Sequence, residues 1–132
     1  MARFYGIDEA NLLLAEVKPL LESLRDDRDA VAEAQRELVR VRTTNGSADH
    51  AEDLARREGE IREIVRRMQA SVIALDHWGI VLRDIGSGLI DFPALANGRP
   101  IWLCWRLGEA DIGWWHEQTT GFDTRRPLAE LT

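Results

Sequence analysis

The chain has 132 residues, 17 of them Lys or Arg and 23 Asp or Glu, for a net charge of −6. That length suits one domain rather than two, and the acidic balance argues against a large phosphate-binding surface, so nucleic acid is not an expected partner. The lone Cys104 excludes an internal disulfide framework and a multi-cysteine zinc site, and no run approaches the roughly 20 apolar residues of a membrane span.

Charge and aromatic content divide the chain near Trp78. Residues 1–78 are charged and helical in period, whereas four of the five tryptophans lie in 79–132. A first helix is predicted from Ile7-Asp8 to about Arg42. Ala10, Leu13, Val17, Leu20 and Leu24 recur at spacings of three and four, and the beat returns at Val31, Ala34, Leu38 and Val41. Gly6 with Glu9, or Asp8 with Asn11, can cap it. Pro19 removes one backbone donor and favours a bend. The apolar seam is interrupted at Asp27-Arg28, so burial is expected to be thin there. The polar stretch 43–50, centred on Asn45-Gly46, reads as the exposed tip of a helical hairpin. Asp49 with Glu52 forms a capping-box pattern for a second helix, whose seam is Leu54, Ile61, Val65, Met68, Val72 and Leu75. A bare two-helix hairpin lacks a complete core, so self-association through its face, as a homodimer of four-helix type, is expected.

Gly79 ends the helices and the period changes. Ile80-Val81-Leu82 is β-prone, Asp84–Gly88 a turn, and Leu89–Phe92 an extended run expected to stop at Pro93. A second turn over 94–99 contains Asn97-Gly98, a pair suited to positive φ. Ile101–Leu107 is the strongest strand, and Ile112–His116 returns beside it after a turn at Gly108–Asp111. The expected fold class is α+β, a single domain over 1–132. It consists of a long antiparallel helical hairpin (1–78), then a small three-stranded antiparallel sheet and a C-terminal tail (79–132). Strand alternation places Trp105 and Trp114 toward the helices and Trp102 and Trp115 on opposite faces.

Several of these segments, in order, resemble the DUF2203 family of conserved prokaryotic proteins of unknown function. Ile7-Asp8-Glu9-Ala10-Asn11-Leu12-Leu13 is similar to its opening motif. The C-terminal pieces are Gly88-Leu89-Ile90-Asp91-Phe92-Pro93-Ala94, Gly98-Arg99, Leu103-Cys104-Trp105-Arg106-Leu107-Gly108-Glu109, Trp115-His116-Glu117 and Gly121–Leu128. Gly6 stands where the family more often has Ser or Thr, and Arg126 where Gln is common. The charged helix 28–66 resembles any coiled-coil segment. The resemblance implies no activity, substrate or cofactor.

No catalytic constellation stands out, and no cofactor is indicated: Gly86-Ser87-Gly88 lacks the Lys-Ser/Thr end and following helix of a phosphate loop. The candidate metal ligands are Asp91, Glu109 and His116, two oxygens and a nitrogen suited to a divalent ion if they converge. The structural alternative is a histidine that orders the tail by bonding a carboxylate or backbone group. Cys104, in mid-strand, reads as a buried small hydrophobe rather than a nucleophile. Arg99, Arg106 and Arg125, with Trp102 and Trp115, are candidates to hold a small anion. Such arginines also pin tails by pairing with carboxylates. The leading functional expectation is a non-enzymatic structural or interaction module acting as a homodimer, with an unidentified protein partner at the sheet end. The alternatives are a small-ligand or divalent-metal binding protein at the carboxylate/histidine cluster, and a metal-dependent hydrolase using the same residues. Residues 1–6 lack the apolar run of a signal peptide, so the cytoplasm is the expected compartment.

Overall fold

Helix α1 (Ile7–Arg42) starts where the sequence places it, with Glu9 Oε1 accepting the Gly6 backbone N–H at 3.0 Å. It belongs to a computed structural model that describes residues 3–44 and 49–131. The Asn45-Gly46 centre of the expected hairpin tip lies outside those residues. α1 continues through Pro19 and buries Ala10, Leu14, Val17, Leu21 and Leu24, a seam of fours and threes on one face. Beyond Leu24 the next buried residue is Leu38. The thin stretch is instead bridged to α2 (His50–His77) by Arg67–Asp27 and Arg42–Glu58 ion pairs at 2.9 and 2.8 Å. Such exposed pairs contribute little each. Asp49 occupies the N-cap of α2 without a side-chain capping bond.

The end of α2 follows from Gly79. With φ +75 it lets Ile80 N–H reach the Leu75 carbonyl and its own N–H reach that of Asp76, the paired bonds of a Schellman stop. Ile80 and Leu75 are both buried, which adds the apolar contact typical of that stop. The Tyr5 hydroxyl donates to the Trp78 carbonyl at the same point, and Tyr5 N–H donates to Pro93 O at 2.7 Å. One residue thus ties the chain start to the helix end and to the sheet.

The sheet corrects the three-stranded expectation. It has five antiparallel strands in sequential order: β1 (Val81–Asp84), β2 (Leu89–Ala96), β3 (Arg99–Arg106), β4 (Trp114–Glu117) and β5 (Arg126–Pro127). β1 forms from the Val81-Leu82 part of the β-prone run. β5 pairs with β4 through only Trp114↔Pro127 and Trp115↔Arg126, too short to leave any alternation in the sequence. β2 also continues past Pro93. β1 pairs only with Leu89–Asp91, so no strand pairs with β2 beyond it on that side, and Pro93 turns its backbone there, where Tyr5 N–H meets its carbonyl. The missing N–H therefore breaks no ladder bond. The turn shrinks to Asn97-Gly98, with φ +52 and +80.

Ile90, Phe92, Ile101, Leu103, Trp105 and Trp115 point to the helices and join Leu14, Val17 and Leu21 in one core. Trp115 thus lies on the helix side, in place of the expected Trp114. Asp91, Trp102, Cys104, Trp114 and His116 take the opposite face by alternation.

Candidate metal centre

Each side chain of the second face is aimed by strand register. The two-residue turn at Asn97-Gly98 pairs Ala96 with Arg99, and the same register sets Asp91 opposite Cys104. The β3–β4 register sets Trp102 opposite His116. Asp91 and His116 stand on strands that flank β3 and meet above it, because the residue beneath them at 104 is small. At the β1 edge the register shifts between Leu82 and Asp84, leaving Arg83 as the extra residue of a bulge. Val81 pairs with Asp91, so alternation puts Arg83 on the Asp91 face, and its Nε donates to Asp91 Oδ2 at 2.8 Å. Its guanidinium also lies 5.1 Å from the centre of the Trp102 ring.

His116 Nε2 is 3.0 Å from the same Asp91 Oδ2, and Nδ1 is 2.8 Å from the Glu117 carbonyl oxygen. A carbonyl only accepts, so Nδ1 carries a proton and donates it. Nε2 and Oδ2 then share one more proton. Asp91 is 1 % and His116 2 % exposed. Asp91 Oδ1 is buried with no hydrogen-bond partner among the described residues. One ligand atom from each of Asp91, Cys104 and His116 lies within 4.8 Å of the others. Burial, and then the Asp91 charge, push the Cys104 thiol up to about 11, while Arg125 beside it acts in the opposite sense. The thiol is therefore neutral at pH 7 and unsuited to act as a free nucleophile.

A cavity of about 250 Å³ opens over the three residues, walled by Arg83, Leu89 and the segment Gln118–Phe122. The tail that forms this wall is pinned by Arg125. Its guanidinium pairs with Glu109 at 2.7 Å and lies 4.4 and 4.2 Å from the Trp114 and Phe122 ring centres.

The structure thus brings Asp91 and His116 together but turns Glu109 elsewhere, to Arg125 and to the Arg106 backbone N–H. Of the five anion candidates only Arg106 and Arg125 come together, both over the Phe122 ring. Arg99 pairs with Glu117 at the far end of β3, Arg106 lies over Phe122, Trp102 packs under Arg83, and Trp115 is on the helix side. Cys104 and Arg83 are the members that sequence reasoning left out. Cys104 shares its face with Trp102 and Arg106 by simple alternation, so its position was readable. Arg83 falls on the Asp91 face by alternation from Val81, but the sequence reading ended the β-prone run at Leu82.

Residues 3–128 match the family described as an uncharacterized conserved protein, DUF2203. The chain belongs to the DUF2203 family. No curated protein and no solved structure matches it significantly. In this DUF2203 protein the segments that carry the resemblance are also the ones that build the centre. Gly88–Ala94 supplies Asp91, Leu103–Glu109 supplies Cys104 and Glu109, Trp115–Glu117 supplies His116, and Gly121–Leu128 supplies Phe122 and Arg125. Among the described residues no helix is long and apolar enough to cross a membrane.

Proposed function

We propose that this protein binds a divalent metal ion through Asp91, Cys104 and His116 and presents it to a small ligand in the adjoining cavity. The observation that carries this reading is the unpartnered Asp91 Oδ1, buried within a cluster of three donor residues. An unpaired buried acceptor costs about 1–3 kcal/mol, and more when charged, so a partner for it is expected. One imidazole nitrogen, one carboxylate oxygen and one sulfur suit zinc, and three protein ligands leave a fourth position for water or ligand. The groups behind the donors also fit. His116 Nδ1 bonded to a backbone carbonyl and Asp91 Oδ2 held by Arg83 are arrangements that orient metal ligands. Asp91 Oδ1, His116 Nε2 and the Cys104 sulfur would be the donors, and binding would displace the thiol proton. Among the described lining residues no further carboxylate or imidazole stands ready as a general base, so the reading is binding rather than hydrolysis.

The test is metal uptake by protein first stripped with chelator. One zinc or cobalt(II) per chain is expected, with a thiolate-to-cobalt absorption band that Cys104→Ser removes. Absence of uptake, or uptake unchanged in both Asp91→Asn and His116→Gln, would overturn the reading.

A second reading, self-association through the hairpin, is favoured by an apolar groove of about 520 Å³ lined by Leu24, Val31, Val65, Met68 and Val72, with Ile73 67 % exposed beside it. A second copy presenting the same face would cover both grooves at once. Sedimentation equilibrium should then give a dimer that Val72→Lys turns into monomer; a monomeric wild type would end this reading.

A further inference from the structure

We propose that the ligand presented at this centre is a small oxyanion, a carboxylate or phosphate of few atoms, held between the metal ion and the guanidinium of Arg83. The inference rests on the metal reading above and adds the ligand's charge and size.

Arg83 is fixed at two points, by the Nε bond to Asp91 and by the Trp102 ring beneath it, while its side chain remains 43 % exposed at the cavity wall. Its terminal NH2 groups make no hydrogen bond among the described residues. A guanidinium whose Nε is occupied and whose plane is already oriented offers its remaining donors at low ordering cost, in the fork geometry that oxyanions accept. The electrostatics agree. A divalent ion, one carboxylate and one thiolate cancel, so Arg83 would leave the cavity with a net positive charge, which favours an anion. The rest of the wall is uncharged and includes Gln118, Thr119 and Thr120. At about 250 Å³ the cavity falls below the roughly 300–1,000 Å³ of sites for drug-sized ligands, which limits the anion to a few heavy atoms.

The experiment uses full-length protein loaded with one cobalt(II) per chain, titrated with acetate and with acetamide, its neutral near-isostere, and followed by the visible cobalt spectrum. Acetate is expected to shift the spectrum saturably. Arg83→Gln keeps an N–H donor near Asp91 but loses the charge. It should weaken acetate by about tenfold or more, the scale of a charge-assisted hydrogen bond, and leave acetamide nearly unchanged. Arg99→Gln, a comparable change at the far end of β3, should leave both titrations as in wild type. Should Arg83→Gln fail to retain cobalt, Arg83→Lys takes its place and should weaken acetate by a smaller factor. Cobalt uptake with no saturable acetate response, or with acetate and acetamide weakened equally by the Arg83 substitution, overturns this inference and leaves the metal reading standing. Absence of cobalt uptake overturns both.

Discussion

His116 Nε2 lies 3.0 Å from Asp91 Oδ2 although the two residues stand on strands separated by β3. Alternate strands of a sheet are about 9.6 Å apart, so the two side chains must lean toward each other over the intervening strand. What permits this is the small side chain of Cys104 below them.

Cys104→Leu should destabilise the protein by about 1–3 kcal/mol through overpacking and should separate Asp91 from His116. Cys104→Ser, nearly the same size, should cost less. Urea denaturation of the two variants measures the difference, and equal costs would show that the site tolerates bulk.

The raised thiol pKa sets a pH dependence with a definite sign. The unfolded chain ionises Cys104 near its ordinary value of 9.0, whereas the native thiol holds its proton to about 11. The contribution to stability is fully present below pH 9 and is lost as pH rises toward 11. Tyr5, raised chiefly by burial, acts in the same direction. In metal-free protein, thermal melts across this window should fall less steeply for Cys104→Ala than for wild type.

Arg125 and Glu109, with side chains 13 % and 17 % exposed, are better shielded than the pairs on the helices. A double-mutant cycle with Arg125→Met and Glu109→Gln should give a coupling of about 1–3 kcal/mol by denaturation. The single Arg125 variant should also speed hydrogen exchange in the 118–128 segment. A coupling near zero would mean that the aromatic rings, rather than the ion pair, retain the tail.

Gly88→Ala should be among the more damaging single-methyl additions. Gly88 has φ +66, and a Cβ there would stand 2.4 Å from Leu107 side-chain carbons. The left-handed backbone alone costs about 1–2 kcal/mol, and the overlap adds to it. Gly98→Ala, also at positive φ but with open space around it, isolates the backbone part.

The helices were the most legible part of the sequence. The limits of α1, the cap formed by Gly6 and Glu9, and the stop at Gly79 all follow from local chemistry that repeats or punctuates the chain. Asn97-Gly98 was legible too, and a two-residue turn there fixes Asp91 opposite Cys104. The expected stop at Pro93 concealed this, because a proline ends a strand only where its missing N–H would have bonded. The position of His116 was not readable in the same way. The connection between β3 and β4 is too long to dictate register, and the face chosen by Trp114 and Trp115 depends on it. β5 has two residues and no period at all. The tail beside it is held by the Arg125–Glu109 pair, by Leu128 N–H on the Gly113 carbonyl and by Leu128 on the core, tertiary contacts that no local pattern records.

The brevity of the outer strands has a consequence for the protein in crowded solution. β1 offers four residues and is kinked by the Arg83 bulge, while β5 offers two, one a charged arginine and the other a proline with no N–H to give. Beyond β1, Tyr5 meets the β2 carbonyl at Pro93. Neither margin is a straight, unsatisfied ladder onto which a foreign strand can zip, so the sheet is guarded against runaway stacking with its own kind.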